Sequence, residues 1–185
     1  YMAVGGMPQA VDAYIRTNNF EVVDNIKREI LELYYDDLRK IDPSGRITDI
    51  YKSVPSQLAQ KKKHFMIASA TGKQKTRRDE ERIFELISSG LVLPCYHVAK
   101  PDISLSQTKD ISNFKLYLSD IGLFTTMLFH DSESGRSDIY KKLLSDKLAA
   151  DLGYMYENMV AQSLTACGRD VYYHTWKKEG STHSY

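Results

Sequence analysis

Cysteine, histidine and long apolar runs are scarce in this 185-residue sequence, and each shortage removes a class of protein. Two cysteines, Cys95 and Cys167, give no disulfide framework and no metal signature. Both sit among apolar neighbours, which predicts reduced, buried thiols and a cytoplasmic protein. The five histidines (His64, His97, His130, His174, His183) never stand at ligand spacing from each other or from a cysteine, so no structural zinc site is expected. No apolar stretch approaches the roughly 18 residues needed to span a bilayer, so no membrane partner is expected. Residues Tyr1 to Gln9 lack the basic start and apolar centre of a signal peptide. The chain opens on Tyr1 rather than a methionine and is expected to be a piece of something longer.

What remains is an ordinary globular composition, 42% hydrophobic and 26% charged, which excludes global disorder. The length suits one domain or two small ones. The net charge of +1 conceals an asymmetry. From Lys61 to Arg78 there are seven basic residues and no acid, which leaves the rest of the chain at −6. Such a segment can hold a polyanion to one face, or it can be a solvated lysine-rich loop.

Met7 to Thr17 reads as a short helix with Pro8 in its first turn, where a missing N–H costs nothing. Phe20 to Ile41 reads as a longer one. Its stripe is Ile26, Ile30, Leu33, Tyr34, Leu38 and Ile41, and Lys27, Arg28, Glu32, Asp36, Arg39 and Lys40 form its solvent face. Asp42-Pro43-Ser44-Gly45 stops it. Ile47–Val54 is expected to be helical, with Pro55 opening a separate short helix to about Lys62. Phe65-Met66-Ile67 suggests a short strand. Arg78–Ser89 forms a helix with Ile83, Phe84, Leu86 and Ile87 on its apolar side, capped by Gly90. Leu91–Val98 is a strand interrupted at Pro94, and Pro101–Asp110 a loop. Helices followed by strand and loop give the order of a winged helix-turn-helix unit.

Phe114–Leu118 then reads as a strand, and Ser119-Asp120 as the cap of a helix from Ile121 to about Phe129. Asp131–Ser137 is a polar link, Asp138–Leu148 a helix, and Leu152–Cys167 another. Val171–Trp176 is a strand, expected to pair with Phe114–Leu118 because a lone strand is incomplete. The fold class is mainly α with a small β component (α+β).

Catalytic motifs are sparse. Ala70-Thr71-Gly72-Lys73-Gln74 fails as a phosphate loop, because Ile67 stands where glycine is required and Gln74 where serine or threonine is. There is no nucleophile elbow and no His-Glu-x-x-His. Asp120, between strand and helix, fits a helix cap better than a metal carboxylate. Glu157 stands one position off an apolar stripe, next to Asn158.

Tyr1-Met2-x-x-Gly5-Gly6-Met7-Pro8, with Val11 and Tyr14, resembles the lid signature of a family of bacterial and archaeal AAA-type ATPases. Pro55-Ser56-x-Leu58-Ala59, Gly90-Leu91-Val92 and Phe114-Lys115-Leu116-Tyr117-Leu118-Ser119-Asp120-Ile121-Gly122-Leu123 resemble later landmarks of that family. So do Gly153-x-x-x-Glu157-Asn158-x-Val160-Ala161-x-x-Leu164 and Tyr172-Tyr173-x-x-Trp176. The resemblance implies three parts: a lid piece over residues 1–43, a winged helix over 44–110, and a truncated restriction-endonuclease-like domain over 111–185. It places ATP and Mg²⁺ on a part of the parent protein outside this chain, and no cofactor within it. Glu157 matches the helix glutamate of a metal-dependent nuclease, with the remaining ligands expected after Tyr185.

For DNA, the recognition helix would present Thr76, Arg77, Arg78 and Arg82. Lys61, Lys62, Lys63, Lys73 and Lys75 would meet phosphates. Asp79, Glu80, Glu81 and Glu85 on the same helix would repel them. The acid-free basic run tips the balance toward duplex DNA, and docking of a protein partner stays open beside it. This chain is not expected to be catalytic alone. A metal-dependent nuclease and a pure protein–protein adaptor are the alternatives.

Overall fold

The computed structural model describes residues 1–72, 74–101, 104–129, 140 and 152–175. It is mostly helical with one three-stranded sheet, the α+β class expected. Helix α1 (Pro8–Thr17) carries its proline at the start and ends on Asn18 in left-handed conformation. Helix α2 (Phe20–Ile41) opens where the Asn19 side chain accepts from Glu21 N at 2.9 Å. Its buried face runs through Val23, Asp24, Lys27, Ile30, Leu31, Tyr35 and Leu38. That face is turned from the expected stripe: Leu33 and Ile41 are 64% and 57% exposed, and Lys27 is fully buried. An ammonium can occupy a core only where acceptors surround it, and sequence spacing does not reveal acceptors.

Helix α3 (Arg46–Ala59) runs unbroken through Pro55. An interior proline costs about 3 kcal/mol, but here Ile47, Ile50, Tyr51, Val54 and Leu58 form one buried stripe across it. Packing of that stripe holds the helix together. Phe65-Met66-Ile67 is not a strand. The Gln57 side chain brackets Met66, accepting from its N at 2.7 Å and donating to its O at 3.1 Å, and Ile67 begins α4 (Ile67–Thr71). Helix α5 (Arg77–Ser88) follows, closed by Gly90 at a φ of 72°.

Strand β1 (Val92–Val98) pairs antiparallel with β2 (Lys109–Leu118). Pro94 does not interrupt it. Phe114 O accepts from Phe65 N, and Leu118 bonds to Asn158, so these residues point outward from the ladder. By strand alternation Leu116 and its partner Pro94 do the same, and the missing N–H costs the β1–β2 ladder nothing. Helix α6 (Ile121–Leu128) is capped by Asp120, and α7 (Gly153–Ala166) leads to β3 (Tyr172–Tyr173).

β3 lies parallel beside β1, giving the order β2-β1-β3, rather than beside β2 as expected. The outer edge of β2 is already taken by Phe65 and Asn158, so the arriving strand finds free backbone only on β1. The expected helix at 138–148, apart from Tyr140, the link at 131–137 and Trp176 lie outside the described residues.

One core runs from Ile30 on α2 through Tyr51, Leu86, Leu116 and Phe124 to Met155 on α7, with a small satellite of Ala10, Ala13 and Val23. The boundary expected at 110/111 falls inside β2. Helices α3, α4 and α5 followed by the β1–β2 hairpin keep the order of a winged helix-turn-helix. Cys95 is buried as expected, but Cys167 is exposed, because it caps the end of α7 rather than facing the core. No described helix is long and apolar enough to cross a membrane.

Candidate functional site

The basic segment and α5 are organised around a carboxylate. Asp79 is fully buried and receives Arg46 in two-pronged fashion, Nε to Oδ1 at 2.9 Å and Nη2 to Oδ2 at 2.6 Å. Thr76 N donates to Asp79 Oδ2 at 2.7 Å, which closes the start of α5. Burial pushes the Asp79 carboxyl up, but the bonds from Arg46 and Thr76 outweigh it and hold the group well below the usual carboxylate range. Arg82 reaches Asp79 at 3.0 Å and Asp42 at 2.6 Å, and this second pair holds Asp42 low as well.

This arrangement redistributes the expected DNA contacts. Arg82 is turned inward, its side chain 14% exposed, and serves the α2–α3–α5 junction instead of a groove. Lys75 pairs with Glu80 at 2.9 Å, and Lys62 donates to Ser69 Oγ at 2.9 Å. Lys61 sits at a φ of 53° at the turn after α3. Lys63, Arg77 and Arg78 are exposed, and Lys73 lies outside the described residues. The acidic neighbours that decide these positions are spread over 40 residues, so the local basic run could not show them.

The outward face of α5 carries Arg77, Glu80, Glu81, Phe84 and Ser88 at helical spacing. Phe84, expected on the apolar side, is 68% exposed, while Ile83 and Leu86 face the core. Beside it lies a cleft of about 250 Å³ between α4, α5 and β2. Ile67, Ile83, Ile87, Tyr96 and Phe114 line it, and Phe84 and Ile111 flank it. Ile111 is 71% exposed. Two bulky apolar side chains in water at the mouth of an apolar cleft are the feature of this surface that core packing does not explain.

Glu157 lies on α7 beside Lys115 Nζ at 3.4 Å and Tyr117 Oη at 3.3 Å. Burial pushes the neighbouring Cys95 thiol up to about 12, so it stays protonated. Among the described residues no group of three or more histidine, cysteine or carboxylate side chains is placed to hold a metal. The adjacent Asn158 has a structural task that the sequence did not disclose: its amide brackets Leu118 at 2.8 and 2.9 Å.

The N-terminal landmark and the Phe114–Leu123 landmark meet in a second buried cluster. Asp120 Oδ2 accepts from Gly6 N at 2.6 Å and Oδ1 from Leu123 N at 2.8 Å. A Cβ on Gly5, which has a φ of 82°, would stand 2.4 Å from Asp120 Oδ1; one on Gly122 would stand 2.5 Å from Val4 O. Lys27 Nζ donates to Ala3 O at 2.7 Å, Tyr140 Oη at 3.0 Å and Gly122 O at 3.3 Å. Tyr140 in turn donates to Asp24, which also accepts from Thr126 at 3.0 Å and Arg28 at 2.7 Å. Burial drives the Lys27 ammonium down to about 8 against the pull of Asp24 and Asp120. Asp120 is therefore a cap and a clamp for the N-terminal turn.

No curated protein and no solved structure matches the chain. A family model described as "Domain of unknown function (DUF8612)" matches residues 1–134, a span that takes in α1 to α6 and the whole helix–helix–helix–hairpin unit. The chain belongs to that domain family of unknown function.

Proposed function

We propose that the unit built from α3, α4, α5, β1 and β2 is a protein-docking module, within a larger protein of the AAA-type ATPase kind that the sequence resembles. In this reading ATP and Mg²⁺ belong to a part of that protein outside these 185 residues. The observation that carries it is the outward face of α5, where Phe84 stands exposed between Glu80 and Glu81. A recognition helix in a DNA groove needs donors toward base edges and cations toward phosphates. Beyond Arg77 at its start, this face offers carboxylates and a benzyl group, and Arg82 is spent on Asp42 and Asp79.

Titration of a fluorescein-labelled 20-base-pair duplex with the full chain tests the reading by anisotropy. Weak binding that Arg77→Gln/Arg78→Gln barely changes is the expected result. Tight binding that falls steeply with salt and vanishes in that double variant would overturn it. The DNA reading keeps support from the exposed Lys63, Arg77 and Arg78. The nuclease reading rests, among the described residues, on Glu157 with Lys115 alone. Mg²⁺-dependent cleavage by the full-length protein, lost in Glu157→Ala, would establish it.

A further inference from the structure

We infer that two copies of this chain pack α7 against α7, antiparallel, about a two-fold axis at Val160. This surface is separate from the α5 face and does not depend on the docking reading. Helix α7 carries a single charged residue, Glu157, and its outward side shows Tyr156, Val160 and Leu164 to water, 52%, 50% and 38% exposed. At four-residue spacing these three make one stripe about 12 Å long. The outward face of a surface helix is ordinarily charged or polar, so an apolar stripe there marks a face that packs on something else.

The same helix supplies both halves of the contact. Its N-terminal half borders a cleft of about 450 Å³ against the sheet, lined by Tyr156, Val160, Val171 and Tyr173 and by the paired Lys115 and Glu157. Its C-terminal half carries Leu164, which projects outside that cleft. Leu164 stands about 40° around the helix from Val160, on the side where Glu157 and the cleft lie. An antiparallel partner centred on Val160 therefore sets Leu164 of each copy over the other's cleft, opposite Tyr156, and Val160 against its own counterpart. Charge permits this register. Glu157 is held within its own chain by Lys115 Nζ at 3.4 Å and Tyr117 Oη at 3.3 Å, and it falls opposite Ser163 of the other copy rather than a second carboxylate. A strongly charged partner finds little on this stripe to pair with, whereas a second copy offers the matching knob and cleft.

Disulfide cross-linking reads the register. Antiparallel helices touching at Val160 bring its Cα within about 4–6 Å of its counterpart, inside disulfide range, whereas the two copies of Cys167 stand about 21 Å apart along the axis. The full 185-residue chain carrying Val160→Cys and Cys167→Ser is expected to form a disulfide-linked dimer under mild oxidation. The wild type, whose exposed Cys167 is retained, is expected to form none. A seam one helix long belongs to the small, weak class of interface, so sedimentation equilibrium of the wild type over about 5–500 µM should show a reversible dimer. Val160→Glu, which sets two carboxylates face to face, and Leu164→Gln should each weaken it by about tenfold or more. Phe84→Ala should leave it unchanged. All of these positions are exposed, and circular dichroism checks that each variant is folded.

A wild-type chain that stays monomeric across that range overturns the inference. So does a dimer that survives Val160→Glu, or one abolished by Phe84→Ala, which would move the contact to α5. Cross-linking through Cys167 in the wild type would also overturn it, because the helices would then run parallel. None of these results alters the duplex titration, which decides the docking reading separately.

Discussion

Replacing Lys27 with methionine should remove a contribution to stability that grows with pH in the wild-type protein. The buried ammonium has its titration lowered from 10.5 to about 8, chiefly by burial and further by Arg28, against Asp24 and Asp120. At about 1.4 kcal/mol per unit, the charged form is disfavoured in the fold by about 3 kcal/mol. Between about pH 8 and 10.5 the unfolded chain holds the Lys27 proton and the folded chain has released it, so stability rises with pH across that window. Cys95 and the buried tyrosines act with the opposite sign. Burial raises the Cys95 thiol to about 12 and raises Tyr51, Tyr117 and Tyr140, so from about pH 9 upward the unfolded chain loses these protons first and stability falls. Lys27→Met keeps those groups, so its stability should fall between pH 9 and 10. Urea unfolding at pH 7, 8, 9 and 10 should therefore show the wild type gaining on Lys27→Met by about 2 kcal/mol across the series. A stability difference between the two proteins that stays constant from pH 7 to 10 would refute the assignment of that buried charge.

Gly122→Ala forces a Cβ to within 2.5 Å of Val4 O and 2.7 Å of Gly5 Cα, both backbone, so no rotamer relieves it. A loss of about 2–3 kcal/mol is expected, read as a Tm lowered by roughly 5 °C or more in calorimetry; an unchanged Tm would contradict the contact. Asp79→Ala leaves Arg46 and Arg82 short of their carboxylate and should cost about 3–5 kcal/mol. Because Asp79 and Asp42 are held below their ordinary 3.8, their contribution is complete above that pH and lost as pH falls beneath it. Acid titration followed by circular dichroism should thus be steeper for wild type than for Asp79→Ala. A thiol reagent should label Cys167 in the native protein and Cys95 only after denaturation, and labelling of both at once would place Cys95 at the surface.

Where a signal was local, the sequence disclosed the structure. The Phe20 start and the Asp42-Pro43 stop delimit α2 residue for residue, and Asp120 caps α6 as read. Where the deciding partner was distant, it did not. Lys27 reads as a solvent residue until Ala3, Gly122 and Tyr140 surround its ammonium. Arg82 reads as a phosphate contact until Asp42, 40 residues earlier, turns it inward. β3 chose β1 because Asn158 and Phe65 had already occupied the edge of β2, a contest between long-range hydrogen bonds that periodicity does not encode. Phe84 escaped for the reverse reason. It shares its stretch with core residues Ile83 and Leu86, and only the rotation of α5 against the sheet exposes it.

Hydrogen exchange on the whole chain, free and with duplex DNA, tests the docking claim most directly. The account predicts that DNA leaves exchange over residues 61–63 and along Arg77–Ser88 unchanged. Protection by DNA over residues 61–63 and the start of α5 would contradict it.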